Sequence, residues 1–367
     1  MTRNHSLKSV APLFLALFFC SAAHAQTSAP TPDQSAPGAA TLAPAATTQG
    51  GFLGRPEVRN FIAEMNTRLK LPTSELELAL GTVAPIPQVI DLIKPPANPG
   101  VRSWQRYRSR FLDRIRIDGG KRFLAEHAAA LKAAEEQYGV PKEIIVSIIG
   151  VETVYGRNTG NFNTVAALAT LAFDYPPRAE LFRRELESLF LLAHERGVNP
   201  LDFKGSYAGA LGLPQFLPSS IRAFAVDFDH DGVIDLRGSP ADAIGSVASY
   251  LQQNGWQRGG RIVLRAYVKP ETDLSALLAP GLLPSFSPSA LSQAGVSSAG
   301  KQTPEETAAL IDLVTPGKPT EYWLGLQNFY VITRYNRSSF YAMAVNDLAE
   351  AFSAPAAAGK PSPAHHK

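Results

Sequence analysis

Apolar side chains recur every three to four positions along most of the chain between residues 52 and 352. This spacing predicts amphipathic helices, because it places the apolar side chains on one helix face. The predicted helices cover residues 56–70, 120–138, 142–155, 163–173, 179–194, 240–254 and 335–352. Strand-like runs occur only in the last third, at residues 261–268, 308–314 and 322–326. The pattern predicts a mainly α fold of the α+β class, with a helical body and a small β element near the C-terminus.

Three segments lack this periodicity. Residues 26–50 contain four prolines, one charged residue and no aromatic residue. Such a composition buries too little apolar surface to fold, so we interpret this segment as a linker. The tail at residues 353–367 has a similar composition and is predicted to be disordered. Residues 279–300, rich in Ser, Pro and Gly, are interpreted as a loop or an insertion.

The N-terminus has the pattern of an export signal. Arg3 and Lys8 precede the apolar residues 10–19, and Ala23 and Ala25 are the small residues that signal peptidase reads. We therefore predict a signal peptide at residues 1–25 and export to the periplasm. Lipid attachment at Cys20 is the less favoured alternative, because a bulky Phe19 precedes this cysteine.

Composition excludes several classes of protein. Of the 367 residues, 45% are hydrophobic, which argues against general disorder. A single cysteine excludes an internal disulfide, a thiolate zinc site and an iron–sulfur cluster. The net charge of +3 is small for a dedicated nucleic-acid binder. The chain also lacks H-E-x-x-H, G-x-S-x-G and a catalytic Cys/His pair, which excludes metalloprotease, serine-esterase and thiol chemistry.

Glu152 lies at the C-terminal end of a predicted helix of apolar residues. Pro141 suits the first turn of this helix and Gly156 suits its end. Burial disfavours the charged carboxylate, and so does the negative end of the helix dipole, so both are expected to raise the pKa of Glu152. A raised pKa is what a general acid needs at neutral pH. The alternative is a structural glutamate that is neutralised by an arginine such as Arg157.

Residues 205–220 form a glycine-rich segment with polar side chains. Three glycines within eight residues allow a backbone to approach a ligand closely. Ser206, Tyr207 and Gln215 offer hydroxyl and amide groups of the kind that bind sugar hydroxyls and N-acetyl groups. Neither phosphate-binding glycine motif is present, so a phosphate cradle is excluded. An ordinary tight loop is the alternative.

These motifs together resemble the lytic murein transglycosylase B family. The resemblance rests on Ile-Gly-Val-Glu-Thr at residues 149–153, on the segment 206–220, and on the C-terminal segments 329–336 and 341–345. It implies a lysozyme-like helical core at about residues 130–260 with an additional helical subdomain. The small β element would lie within about residues 261–326, and all of these would form one catalytic domain at residues 51–352.

The resemblance also implies a reaction. Family members cleave the β-1,4 bond between N-acetylmuramic acid and N-acetylglucosamine in peptidoglycan. The glutamate at the position of Glu152 protonates the leaving oxygen and then acts as base on the C6 hydroxyl of muramic acid, which gives a 1,6-anhydro product without a cofactor. The matching substrate positions are Ser206, Gln215, Tyr250, Tyr335, Asn336 and Tyr341. Ser206 would orient the N-acetyl group, and the tyrosines would stabilise charge and stack on sugars. Leu213-Pro214 departs from the family, which has a small polar or aromatic residue before the glutamine.

Two other functions remain open from the residues alone. A muramidase would hydrolyse the same bond with a second carboxylate, for which Asp174 and Glu180 are candidates. A non-catalytic protein would keep the groove only to bind peptidoglycan. In each case the expected partners are peptidoglycan glycan strands, with other cell-wall enzymes as further candidates. No nucleic acid is expected, and we predict a monomer.

The segment Asp227-Phe-Asp-His-Asp-Gly-Val-Ile-Asp resembles the first nine positions of an EF-hand loop. Its alternating carboxylates and the backbone oxygen of Val233 suit a hard cation. Gly238 stands where an EF-hand has its last glutamate, and the family has a lengthened loop with an aspartate further along. We therefore predict a structural calcium ion, and its ligands are Asp227, Asp229, Asp231, Val233 and Asp242. An empty or sodium-filled loop is the alternative.

Eight basic residues are concentrated between residues 102 and 122, with Trp104, Tyr107 and Phe111 among them. The pattern would suit a nucleic-acid surface, but export argues against that role. A groove for the lactyl-peptide carboxylates of peptidoglycan is one interpretation, and a solvated face is the favoured one.

Overall fold

The computed structural model describes residues 51–95, 100–298 and 306–353. The predicted signal peptide, Cys20, the predicted linker and the tail from residue 354 lie outside these residues.

Helices dominate the part of the chain that the structure describes, and several of them begin where a capping side chain or a proline favours it. They are α1 (Pro56–Leu69), α2 (Thr73–Thr82), α3 (Pro87–Ile93), α4 (Trp104–Arg108), α5 (Arg114–Glu126), α6 (Ala128–Tyr138), α7 (Lys142–Thr153), α8 (Thr164–Asp174), α9 (Ala179–Arg196), α10 (Pro218–Phe224), α11 (Pro240–Gln253), α12 (Leu274–Leu278), α13 (Pro288–Gln293), α14 (Gln327–Tyr335) and α15 (Ser339–Ser353).

The strands form two antiparallel sheets. The first is a short pair, β1 (Phe162–Asn163) with β2 (Lys204–Gly205). The second has four strands in the order β4-β3-β6-β5, and its members are β3 (Val263–Val268), β4 (Val296–Ser298), β5 (Ala309–Leu313) and β6 (Glu321–Gly325). Alternation along β5 and β6 puts Leu310 opposite Leu324 in a small apolar cluster under the sheet.

The prediction of a mainly helical fold with a small C-terminal sheet is confirmed. The predicted helix at 120–138 is two helices, because His127 between them has the non-helical dihedrals φ −113° and ψ 25°. The predicted helix at 335–352 begins only at Ser339, because Asn336 is extended and separates α14 from α15.

The interpretation of residues 279–300 as a loop is wrong for part of that segment. Residues 288–293 form α13, which begins with Pro288 and is capped by the hydroxyl of Ser287. Residues 296–298 form β4, which pairs with β3. Leu291 and Val296 are buried in the apolar cluster of the sheet, so this burial stabilises the segment.

Two large apolar clusters make up the helical body. The first surrounds α7 and includes side chains from α11 and α15, and the second joins α1–α3 to α8 and α9. Tyr250 and Tyr335 pack against both clusters, so these two tyrosines lie where the clusters meet.

No single helix among the described residues is long and apolar enough to cross a membrane. By length and composition only the joined pair α2 and α3 would qualify, and the chain bends by 86° between them.

Candidate active site

The end of α7 holds Glu152 in a fixed turn. Glu152 is the second-last residue of the helix, and Val154 and Tyr155 after it have left-handed backbones with φ of 52° and 60°. Valine rarely adopts this conformation, because its branched side chain crowds the backbone. The amide of Val154 donates to the carbonyl of Gly150, which closes the helix. Surrounding contacts must therefore hold a turn that is unfavourable by itself.

Tyr155 supplies one of these contacts. Its ring lies in a socket made by three glycines, Gly119 and Gly120 of α5 and Gly150 of α7. A Cβ added at any of the three would approach Tyr155 side-chain atoms to 2.7 Å or less. The Tyr155 hydroxyl donates to the carbonyl of Arg116 at 2.6 Å. The socket joins the turn after Glu152 to α5.

Thr153 supplies the second contact. Its hydroxyl oxygen lies 2.9 Å from the carbonyl oxygen of Leu213, and it accepts a hydrogen bond from the amide of Gly156 at 3.0 Å. The end of α7 is thereby joined to the glycine-rich loop.

The carboxyl group of Glu152 receives one hydrogen bond, from the hydroxyl of Tyr341 to Oε1 at 2.7 Å. Burial raises the pKa of Glu152 to about 7, against the opposing effect of this hydrogen bond. No basic side chain among the described residues contributes to this pKa. Arg157 is exposed, so the alternative of a glutamate neutralised by Arg157 has no support in the structure.

Three of the predicted substrate residues are tyrosines that lie together beside Glu152. Tyr335 stacks on Tyr341 with ring centres 6.4 Å apart, and Tyr250 meets Tyr335 edge to face at 4.9 Å. The hydroxyl of Tyr250 donates to the carbonyl of Arg334 at 2.6 Å, and that of Tyr335 donates to the carbonyl of Pro214 at 2.5 Å. Burial raises the pKa of all three phenols, so they stay protonated donors.

The glycine-rich loop carries Ser206 and Gln215. The buried Ser206 hydroxyl accepts from the amide of Ala210 at 3.0 Å, which leaves its proton free for another acceptor. Gln215 has a left-handed backbone with φ 53°, and its Nε2 donates to the carbonyls of Gly212 and Thr159. These bonds use the donor end of the amide and leave Oε1 to accept. Asn336, also buried, ends α14 next to Tyr335.

Sequence reasoning missed Tyr107. This residue of α4 lies within the basic stretch of the sequence. Burial is the largest cause of its raised pKa, and the charge of Glu152 is the second. Its ring packs against Phe111 and Phe340. An aromatic residue among arginines was the available signal, and it gave no indication of proximity to Glu152.

Each of the two candidates for a second carboxylate forms an ion pair with an arginine. Asp174 forms an ion pair with Arg55 at 2.5 Å, and the exposed Glu180 pairs with Arg184 at 3.1 Å. Neither contributes to the pKa of Glu152.

Part of the basic stretch joins helices through ion pairs and hydrogen bonds. Arg108 pairs with Asp347 of α15, and Arg116 pairs with Asp113 and donates to the carbonyl of Gly150. These arginines tie α4 and α5 to the helices around Glu152.

In the acidic loop, oxygen atoms of Asp227, Asp229 and Asp242 lie within 4.8 Å of one another. Asp242 is fully buried and accepts hydrogen bonds from the amides of Phe228 and Asp235 at 2.7 Å. Burial raises the pKa of Asp242, and the nearby Asp229 raises it further. Asp231 is not part of this group, and its carboxylate accepts from the amide of Val233. Of the four predicted carboxylate ligands, the structure thus brings together Asp227, Asp229 and Asp242.

Comparisons with known proteins show the family of the chain. The model of the family described as "Transglycosylase SLT domain" matches residues 54–350. The membrane-bound lytic murein transglycosylase B of Escherichia coli is 38% identical in an alignment of 352 residues, which covers 93% of this chain and 95% of the relative. The soluble lytic transglycosylase SltB1 from Pseudomonas aeruginosa is 46% identical with a TM-score of 0.76 over 81% of this chain and 98% of that chain. The Escherichia coli lytic transglycosylase Slt35, solved in complex with calcium, is 40% identical with a TM-score of 0.72 over 83% of this chain and 95% of that chain.

The glycine socket gives a prediction about stability. Gly150→Ala would put a Cβ about 2.5 Å from the Tyr155 hydroxyl oxygen, so the ring must move out of its socket. We expect a loss of about 1–3 kcal/mol in the free energy of unfolding, measured by chemical denaturation. Gly54→Ala is the matched control, because no atom lies within 4 Å of its added Cβ. Equal stability of the two variants would contradict the socket.

Proposed function

The chain belongs to the lytic murein transglycosylase B family and is a peptidoglycan lytic transglycosylase, and from this premise we propose that Glu152 serves as both its acid and its base. The observation that carries the proposal is the Glu152 carboxyl, which is half-buried, has no basic partner among the described residues, and has a pKa that desolvation raises to about 7. At neutral pH about half of such groups hold a proton, so both forms that the reaction needs are accessible.

In the first step, protonated Glu152 transfers its proton to the oxygen that links muramic acid to glucosamine, while the bond from that oxygen to C1 of muramic acid breaks. Charge that develops on the sugar ring is stabilised by its own N-acetyl oxygen. Ser206 has a free hydroxyl proton with which to hold that N-acetyl group in place.

In the second step, the carboxylate takes the proton of the C6 hydroxyl as O6 bonds to C1, which gives the 1,6-anhydro product and restores protonated Glu152. The substrate's own hydroxyl replaces water, so no second carboxylate is needed. Asp174 and Glu180 form ion pairs with arginines, which supports the transglycosylase reaction over hydrolysis with a second carboxylate.

The remaining predicted site residues would bind the glycan. The partly exposed rings of Tyr250 and Tyr335 form an aromatic surface beside Glu152 suited to sugar faces, whereas the ring of Tyr341 is fully buried and its hydroxyl holds the Glu152 carboxyl. Oε1 of Gln215 is left to accept from a sugar hydroxyl or amide, and Asn336 lies next to Tyr335.

Glu152→Gln tests the central role, because glutamine cannot donate or accept the transferred proton. We expect cleavage of purified peptidoglycan to fall by about a thousandfold. Mass spectrometry of the wild-type digest should find anhydro-muropeptides. Products with reducing ends would instead indicate a muramidase. Unchanged activity of the Glu152→Gln variant would contradict the acid–base role of Glu152.

Tyr341→Phe tests the hydrogen bond to the carboxyl. This bond stabilises the charged form, so its loss raises the pKa of Glu152 further and moves the alkaline limb of the pH profile of kcat/KM to higher pH. Tyr250→Phe is the control, because its hydroxyl bonds to a carbonyl instead. Its alkaline limb should stay in place even if its activity falls. A limb that moves equally in both variants would refute the assignment.

The site of action follows from the sequence pattern at residues 1–25. We propose export to the periplasm, where peptidoglycan lies. Attachment of a lipid at Cys20 is the alternative.

The acidic loop is proposed to hold a structural calcium ion. Three carboxylates with oxygens within 4.8 Å of one another, one of them fully buried, are a hard oxygen donor set that suits this cation. Asp227, Asp229 and Asp242 would hold the ion, with the carboxylate of Asp231 and the backbone oxygen of Val233 as further ligands. The ion would offset the repulsion between the carboxylates and fasten the loop to α11.

Chelation tests the calcium proposal. A ligand at about 100 times its Kd stabilises a protein by about 2.7 kcal/mol, so a chelator should lower Tm by several degrees and added calcium should restore it. Asp229→Asn should weaken this response, whereas Asp118→Asn, on the exposed face of α5, should keep it. A Tm that changes with neither the chelator nor added calcium would exclude a structural calcium ion.

A further inference from the structure

Glu185 is a buried carboxyl group that takes no part in the chemistry described above. It lies in α9, and its relative exposure is 5%. It forms no ion pair with another described residue, since the neighbouring Arg184 pairs with Glu180 instead. Burial raises the pKa of Glu185, and hydrogen bonds from Ser219 oppose this shift. A carboxyl buried without a cation depends on its hydrogen bonds, so these bonds show what it holds in place.

Both oxygens of Glu185 accept hydrogen bonds from one residue, Ser219 of α10. The Ser219 amide donates to Oε2 at 3.0 Å, and the Ser219 hydroxyl donates to Oε1 at 2.7 Å. Ser219 is the second residue of α10, which begins with Pro218 and has Leu217 in the capping position, where the side chain has no acceptor. Glu185 therefore supplies from another helix the acceptor that the first turn of α10 needs.

The start of α10 continues directly from the glycine-rich loop. Gln215, four residues before Ser219, has the left-handed backbone described above, which is uncommon for a residue other than glycine. On the loop side, the backbones of Leu211 and Phe216 exchange two hydrogen bonds, at 2.8 and 3.1 Å. On the helix side, the bonds from Ser219 to Glu185 join the chain to α9. Contacts on both sides thus hold Gln215 in this conformation.

The ring of Phe216 shows that this part of the chain adjoins the site. Its centre lies 5.5 Å from the ring centre of Tyr250 and 5.7 Å from that of Tyr335. The bonds of Glu185 therefore fix a segment that lies against the aromatic surface beside Glu152.

We propose that Glu185 is a positioning residue for glycan binding, which acts through Ser219 on Gln215. The inference rests on the proposed function, because that function places Gln215 at the substrate. A carboxylate accepts both bonds at once, whereas an apolar side chain would leave the Ser219 amide and hydroxyl without this acceptor. Glu185 is not among the causes of the raised pKa of Glu152. Its loss should therefore disturb binding without changing the acid–base group.

Glu185→Leu tests the proposal, because leucine has a similar size and removes both acceptors. On soluble glycan strands we expect KM to rise about tenfold and kcat to stay within about twofold, because a displaced Gln215 loses contacts that substrate and transition state share. The alkaline limb of the pH profile should stay in place. Glu185→Gln should restore most of the KM, since its amide oxygen accepts from the Ser219 amide and its nitrogen donates to the Ser219 hydroxyl oxygen.

Glu195→Leu is the matched control. Glu195 also joins α9 to α10, because it accepts two hydrogen bonds from Arg222, but it is exposed and lies near the C-terminal end of α9. Thermal unfolding shows how much stability each variant loses, and KM should rise only in Glu185→Leu. An equal rise of KM in both variants would mean that any link between the two helices matters equally, which would overturn the proposal.

A double variant shows whether Glu185 acts through Gln215. Gln215→Ala should raise KM, and Glu185→Leu added to it should raise KM by less than it does alone. Independent effects would overturn the proposal, and so would a wild-type KM in folded Glu185→Leu. If Glu185→Leu does not fold by circular dichroism, Ser219→Ala decides: it removes only the hydroxyl bond and should raise KM about threefold, and an unchanged KM would overturn the proposal.

Two further outcomes separate this proposal from the proposed function. An unchanged KM in Gln215→Ala would refute the glycan role of Gln215, and the positioning role of Glu185 with it, while the role of Glu152 stands. A wild type that releases no anhydro product would refute the proposed function itself.

Discussion

The burial of one carboxyl group at the C-terminal end of α7 is the constraint on which the site depends. A buried carboxylate without a cation nearby is costly, so the group keeps its proton to a higher pH than the ordinary value of 4.5. Between that value and about pH 7 the folded protein holds a proton that the unfolded chain has released. The stability of the fold therefore falls as the pH rises through this window. The raised pKa that the proposed acid role requires therefore costs the fold some stability at neutral pH.

Contacts from several parts of the structure fix the position of the Glu152 carboxyl. The apolar cluster around α7 fixes the helix, while the glycine socket and the Thr153 hydroxyl fix the strained turn that follows it. Tyr341 reaches Glu152 from α15, at the far end of the chain. Tyr250 and Tyr335 lie where two apolar clusters meet, so the proposed sugar-binding face is supported from both sides. Such support limits the movement of the reacting groups.

Much of this arrangement could be predicted from sequence, for reasons that are local. The apolar spacing around Glu152 indicated a carboxyl in an apolar helix, and the glycine pattern after residue 205 indicated a loop that could approach a ligand. Contacts between distant segments could not be predicted in this way. Tyr107 near Glu152, the socket for Tyr155 and the ion pairs of Asp174 and Glu180 depend on how helices pack. The break at His127 and the folding of residues 279–300 were missed because burial and pairing outweighed local composition.

The most direct test of this account is the pKa of Glu152 itself, measured in the folded enzyme by carbon NMR of labelled glutamate carboxyl groups. The spectrum of Glu152→Gln identifies the signal by its absence. The account predicts titration near pH 7, because burial outweighs the hydrogen bond from Tyr341. Titration near 4.5 would mean that the carboxyl is charged and solvated at neutral pH, which would contradict its role as the acid.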